Sequence, residues 1–181
     1  MARAIGMLEY ATVSAGIQAA DVVLKTAKVD MIEAETVCPG KYIMLFTGEI
    51  SAVKASIDAA TIMFEGLIDS FLLGNPHEMI LPAIYGTVEV KEKRALGVLE
   101  TFSAASIIVA ADEAAKMSEV QLIELRIARG MCGKSYMTLT GEVAAVEAAI
   151  EKAKKAVGEN GMLLDSAVIP SPDAKLWETI M

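Results

Sequence analysis

The sequence predicts an α/β (α+β) fold made twice, each unit a mainly antiparallel sheet with packed helices in ferredoxin-like strand/helix order. Three observations carry this reading. The chain repeats itself; apolar strand-like segments alternate with segments of helical period; and Gly or Pro turns punctuate the joins. The duplication is the strongest of the three. "AIGMLEY" at 4–10 returns as "ALGVLET" at 95–101, and at the same offset Ala19-Ala20-Asp21 falls on Ala110-Ala111-Asp112 and Lys25 on Lys116. After a loop the register shifts by two residues, so that Gly40-Lys41 pairs with Gly133-Lys134 and "TGEISAV" (47–53) with "TGEVAAV" (140–146). "LIDS" (67–70) then matches "LLDS" (163–166). The expected domains are 1–90 and 91–181.

Each element has a local reason. Residues 4–10 and 95–101 are short apolar strands. The helices that follow, near 14–27 and 105–117, place Ile17, Ala20, Val23, Leu24 and Ala27 at helical spacing, which predicts a stripe facing the core. "VDMIEAETV" and "KYIMLFTGE" read as two strands around a loop that contains Cys38. A second helix starts after Gly48-Glu49, with Val53, Ile57, Ala60 and Phe64 on one face and Glu49 near its positive end. Val146, Ile150, Ala153 and Val157 repeat that stripe. "LIDSFLLG" and "MLLDSAVI" supply the last strand of each unit, followed by a Pro-containing segment and a short helix.

Composition limits the function. Of the 181 residues, 54% are hydrophobic but only 5% aromatic, so the apolar surplus is small and aliphatic, suited to flat subunit interfaces. The richest run, "FSAASIIVAAD" (102–112), is too short to cross a bilayer, and Glu9 interrupts any signal-peptide core, so a cytoplasmic location is expected. Two cysteines do not make a disulfide scaffold. A net charge of −8 disfavours nucleic acid, which needs a basic surface. With a single histidine no Ser/His/Asp set is plausible, and neither a Walker sequence nor G-x-G-x-x-G is present. The paired acids Glu9/Glu100 and Glu49/Glu142 follow the duplication. The chain is expected not to be an enzyme.

The paired segments, taken in order, resemble tandem-domain shell proteins of bacterial microcompartments, the BMC-T class. The resemblance runs nearly end to end and rests on "AIGMLEY" and "ALGVLET", "AADVVLKTAKVDMI" and "AADEAAKMSEVQLI", "GKYIMLFTGEISAVKASI" and "GKSYMTLTGEVAAVEAAI", and the closing "NPHEMILPAI" and "SPDAKLWETI". Within that class "TVCPGK" is similar to the propanediol-utilisation type. The resemblance implies a homotrimer whose six lobes imitate a hexagonal tile, packing with other shell proteins into the microcompartment shell. It also implies one [4Fe-4S] cluster per trimer at a central pore, with Cys38 of each chain as metal ligand and a redox protein as a further partner.

A lone cysteine can equally be a small hydrophobe. Here Pro39 restricts the backbone and Gly40 permits a tight return, so a thiolate can be held out on the loop. Three chains would supply three thiolates to a four-iron cluster. Cys132, in "ARGMCGKS" of the second unit, pairs with Pro39 and not with Cys38; it is either an unligated thiol or a fourth ligand or second redox group. The expected pore lining is Pro39, Gly40, Arg129, Gly130, Cys132 and Gly133, with Arg129 open to reading as an ordinary loop charge. Lys25 and Lys116 are either solvated charges or tile-edge residues, and the edge role is favoured because the duplication keeps both. "NPHE" and "SPDA" lack the Arg that shell proteins often carry there, and His77 reads as a surface turn residue. Two rivals stay open: a cluster-free tile whose pore passes metabolites or cofactors, and a tandem ferredoxin-like regulatory module that binds small ligands.

Overall fold

The computed structural model describes residues 4–180. In chain order the elements are β1 (Ala4–Tyr10), α1 (Val13–Thr26), β2 (Val29–Val37), β3 (Lys41–Gly48), α2 (Ile50–Met63), β4 (Leu67–Leu73) and α3 (Ile80–Ile84). The repeat follows: β5 (Ala95–Thr101), α4 (Ala104–Met117), β6 (Val120–Arg126), β7 (Ser135–Gly141), α5 (Val143–Gly158), β8 (Leu163–Ile169) and α6 (Ala174–Ile180). Strand–helix–strand–strand–helix–strand is thus present twice, each copy closed by a short helix.

The chain forms two compact units. One comprises the residues up to Pro76 together with Ser103–Ser106 and Ala128–Lys134; the other comprises His77–Phe102, Ile107–Ile127 and the chain from Ser135 on. The first turn of α4 and the loop after β6 therefore belong with the first unit.

In the first unit the sheet order is β2-β3-β1-β4, antiparallel throughout. β1 lies between β3 and β4 and every one of its residues is buried, which explains its nearly unbroken apolar sequence. Gly6 lets α2 approach the strand closely, since a Cβ there would sit 2.7 Å from Val53 Cγ1. The Tyr10 hydroxyl donates to the Ala60 carbonyl at 3.0 Å, and burial raises the tyrosine pKa. The Ser56 hydroxyl donates to Val23 O at 3.0 Å and fastens α2 to α1.

The expected stripe on α1 is only partly buried. Its covered face consists of Gly16, Ala19, Ala20 and Val23, while Ile17 and Leu24 are 54% and 51% exposed. The helix is turned so that its small residues meet the sheet: Gly16 lies against Tyr42, where even a Cβ would come within 2.4 Å of the tyrosine. Ile17 and Leu24 are left on the outer side.

The second unit keeps the same plan, with sheet order β6-β7-β5-β8. Ala95 pairs with Gly141 and Thr101 with Ser135, as Ala4 pairs with Gly48 and Tyr10 with Tyr42. Even the irregularities match: the edge pairing slips between Glu9 and Tyr10 and between Glu100 and Thr101. Val146, Ile150, Ala153 and Val157 of α5 are buried, as their period predicts. Trp177 of α6 packs with Leu96 and Ile123.

Candidate functional site: the cysteine loops

Cys38 sits on the two-strand turn between β2 and β3. Gly40 N–H donates to Val37 O at 2.9 Å, closing the turn, and Gly40 has φ +108°, a conformation that L side chains rarely adopt. The Cys38-Pro39 peptide is cis. The thiol is exposed and free. The turn chemistry read from Pro-Gly is therefore what holds this sulfur out of the core.

The second loop joins β6 to β7 and belongs to the same compact unit over Ala128–Lys134. It is a run of left-handed residues: Ala128, Gly130, Cys132 and Gly133 have φ of 56°, 70°, 52° and 85°. Cys132 is also exposed and free. Gly133 abuts Pro39, because a Cβ on Gly133 would lie 3.1 Å from Pro39 Cδ and 2.9 Å from Lys41 Cε. The two loops are thus packed together through Pro39, Lys41 and Gly133.

One buried carboxylate organises the joint. Glu9 of β1 is fully buried; its Oε1 accepts from Lys41 Nζ at 2.7 Å, and its Oε2 accepts from the Ala104 and Ala105 N–H groups at 2.7 and 3.4 Å. Lys41 Nζ also donates to Gly133 O at 3.2 Å. A negative charge at the start of α4 complements the helix dipole and takes two N–H groups that lack helical partners. Asp69 of β4 works beside it. Its Oδ2 accepts from the Ser103 hydroxyl and, at 2.5 Å, from the Ser106 hydroxyl, while its Oδ1 accepts from Ser70 N–H at 2.8 Å. Ser103 Oγ in turn accepts from Ser106 N–H at 3.0 Å as the cap of α4.

Arg129 spans from the second loop to β2: its Nε donates to Glu35 at 2.7 Å and its Nη2 pairs with Glu33. Of the residues expected at a pore, Pro39, Gly40, Arg129, Gly130, Cys132 and Gly133 all lie on these two loops. Lys25 pairs with Asp21 at 2.6 Å on the exposed side of α1, whereas Lys116 pairs at 2.5 Å with Asp112, which is 1% exposed. Asp112 also accepts from the His77 N–H at 2.7 Å. Among the described residues no group of three or more His, Cys, Asp or Glu side chains could hold a metal ion.

Sequence reasoning assigned Glu9 and Asp69 no role beyond the duplication. A signal was present: a carboxylate inside the otherwise apolar "AIGMLEY" must find charged or N–H partners when buried.

A model of the BMC domain matches residues 4–76 and again residues 95–172. The chain belongs to the BMC-domain family. It is 38% identical over its full length to the bacterial microcompartment shell protein PduT of Citrobacter freundii, 99% of which is covered. A solved microcompartment protein from Desulfitobacterium hafniense superposes with a TM-score of 0.85 at 46% identity, covering 98% of this chain and 99% of that one. The fused permuted hexameric shell protein MSM0275 of the RMM microcompartment gives 0.68 at 25% identity, covering 87% and 82%. This BMC protein is a tandem-domain shell protein of PduT type, a structural component of a bacterial microcompartment shell. No helix among its described residues is long and apolar enough to cross a membrane.

Proposed function

We propose that this shell protein is a non-catalytic homotrimeric tile that holds one [4Fe-4S] cluster on its threefold axis through Cys38 of each chain. The observation that carries the reading is the exposed, free Cys38 thiol on a turn fixed by Gly40 and braced by Lys41. The donor set fits the group: each chain offers one soft thiolate on a held-out loop, and three chains offer three. When bound, such a cluster supplies one-electron transfer across the shell, or is itself repaired there. The chain's own part is to aim the sulfur and keep the loop from collapsing inward. Pro39 and Gly40 set its path, and the Glu9–Lys41 pair ties it to the Gly133 carbonyl. Other shell proteins of the same compartment, one for propanediol utilisation by analogy with PduT, are its neighbours; a redox protein delivers or accepts the electron.

Native mass spectrometry of anaerobically purified protein tests both parts. The predicted species is three chains plus one four-iron cluster. A trimer that stays iron-free after anaerobic reconstitution overturns the cluster and leaves a tile whose pore passes metabolites or cofactors; a stable monomer overturns the tile.

A further inference from the structure

A cleft of about 350 Å³ opens on the second unit where β5 and α5 begin, β7 and β8 end and α6 packs, and none of the cysteine-loop residues lines it. Its most buried lining residue is Trp177, 4% exposed and packed on Leu96 and Ile123. The indole N–H has no hydrogen-bond partner among the described residues. Yet in residues that are not exposed, every described side-chain nitrogen or oxygen beyond the reach of solvent has one. The little surface that Trp177 keeps therefore includes this N–H, and the cleft is where it is open. A tryptophan so deeply buried usually gives its N–H an acceptor; here the acceptor has to come from the cleft. The duplication places Leu81 where Trp177 stands, so the donor is present in one copy only.

The other polar groups of the cleft are donors too. Lys93 is exposed and makes no ion pair among the described residues, and the Ser171 hydroxyl has no partner there either. The sixteen-residue helix α5 starts in the same wall, and its N-cap residue Glu142 makes no side-chain cap, so no side chain meets the first N–H groups at its positive end. Of the three charged residues lining the cleft, Arg94 pairs with Glu142, and also with Glu92. Lys93 is left as the charge without a counter-ion. We propose that this cleft binds a small organic carboxylate, whose oxygens accept from the Trp177 N–H, the Lys93 ammonium and the start of α5, and whose hydrocarbon lies against Pro170, Pro172 and Val143. One uncompensated lysine beside the Glu142 carboxylate suits a ligand with a single negative charge, and the prolines and valine suit an apolar body better than a bare inorganic anion. The volume is at the small end of the range for ligand pockets. One unit of one chain builds the site, so it depends on neither the trimer nor the cluster.

Trp177 is the chain's single tryptophan, so its fluorescence reads the site directly. Butyrate is titrated into the full chain at constant ionic strength, with butyramide and inorganic phosphate as comparison probes. The expected result is a saturable change of emission with butyrate, and binding weaker by roughly tenfold for butyramide and for the exposed-site variant Lys93→Met. Saturation-transfer NMR on the butyrate methyl group supplies a second readout that does not need the fluorophore. It is also applied to Trp177→Phe, which keeps an apolar ring, loses the N–H and should weaken binding, with circular dichroism confirming the fold. Neither a saturable emission change nor magnetisation transfer overturns the proposal, as does equal binding of butyrate and butyramide or an unchanged dissociation constant in Lys93→Met. Phosphate binding without butyrate binding overturns the organic ligand and makes the cleft an inorganic-anion site. Iron content and particle mass, which test the cluster and the trimer, are read separately and are unmoved by any of these results.

Discussion

Glu9→Ala is the substitution that most directly exposes what holds the two loops together. It removes an acceptor for three donors at once, in a side chain that solvent does not reach. Deleting one partner of a buried ion pair costs about 3–5 kcal/mol, and the Lys41 side chain, 15% exposed, retains some access to water, which favours the lower end. Losing the carboxylate at the start of α4 adds about 1 kcal/mol, the usual effect of removing a helix cap. The sum is about 4 kcal/mol, a large share of the roughly 5–15 kcal/mol by which domains are stable. In a chain of this size that lowers the melting temperature by about 8–16 °C. Calorimetry or far-UV circular dichroism at fixed protomer concentration reads it, since assembly makes melting concentration-dependent. Lys41→Met and the double variant complete a cycle with an expected coupling of at least about 1 kcal/mol. A Glu9→Ala protein melting within about 2 °C of the parent, or a cycle with no coupling, refutes the reasoning.

Other outcomes follow from the packing and the titrating groups. Gly16→Ala forces a Cβ to within 2.4 Å of Tyr42, so denaturant unfolding should show a loss of about 1–3 kcal/mol or more. Tyr136 is held protonated to about 12, first by burial and then by its hydrogen bond to Glu124. Because the folded pKa lies above the ordinary 10, its stabilising contribution is complete below about pH 10 and is lost as the pH rises toward 12. Tyrosinate absorbance should show two late-titrating tyrosines, Tyr10 and Tyr136, of which only the Tyr136 midpoint falls in Glu124→Gln. Ile17→Asp with Leu24→Asp should leave far-UV circular dichroism intact, because both side chains are already half exposed in the single chain, but abolish the proposed trimer in sedimentation.

Much of the fold was legible because the sequence states it twice. Repetition of "AIGMLEY" and "TGEISAV" sets the order of strands and helices, and matched segments adopt matched registers. What periodicity does not give is which side of a helix faces inward when small and large residues share it. The α1 stripe shows this: Ile17 and Leu24 had the right spacing, but the close approach of Gly16 to Tyr42 turns them outward. The loop bearing Cys38 was readable from Pro39 and Gly40, whose backbone preferences are local. Its bracing was not. Lys41 meets Gly133 across a long stretch of chain, and Glu9 meets Ala104 likewise, so only the tertiary structure brings those partners together. The duplication also hid the asymmetry between Glu9 and Glu100, which are alike in sequence and differ in burial.

The central claim is a shell tile with a shared cluster, and metal content tests it most directly. Iron and acid-labile sulfide should be measured per chain on anaerobically prepared trimer, beside Cys38→Ala and Cys132→Ala. One cluster per trimer predicts about 1.3 iron atoms per chain in the parent, with iron nearly absent from Cys38→Ala. Cys132→Ala should retain the parent's iron if three thiolates suffice. Parent trimers without iron after reconstitution, or full iron in Cys38→Ala, would contradict the account.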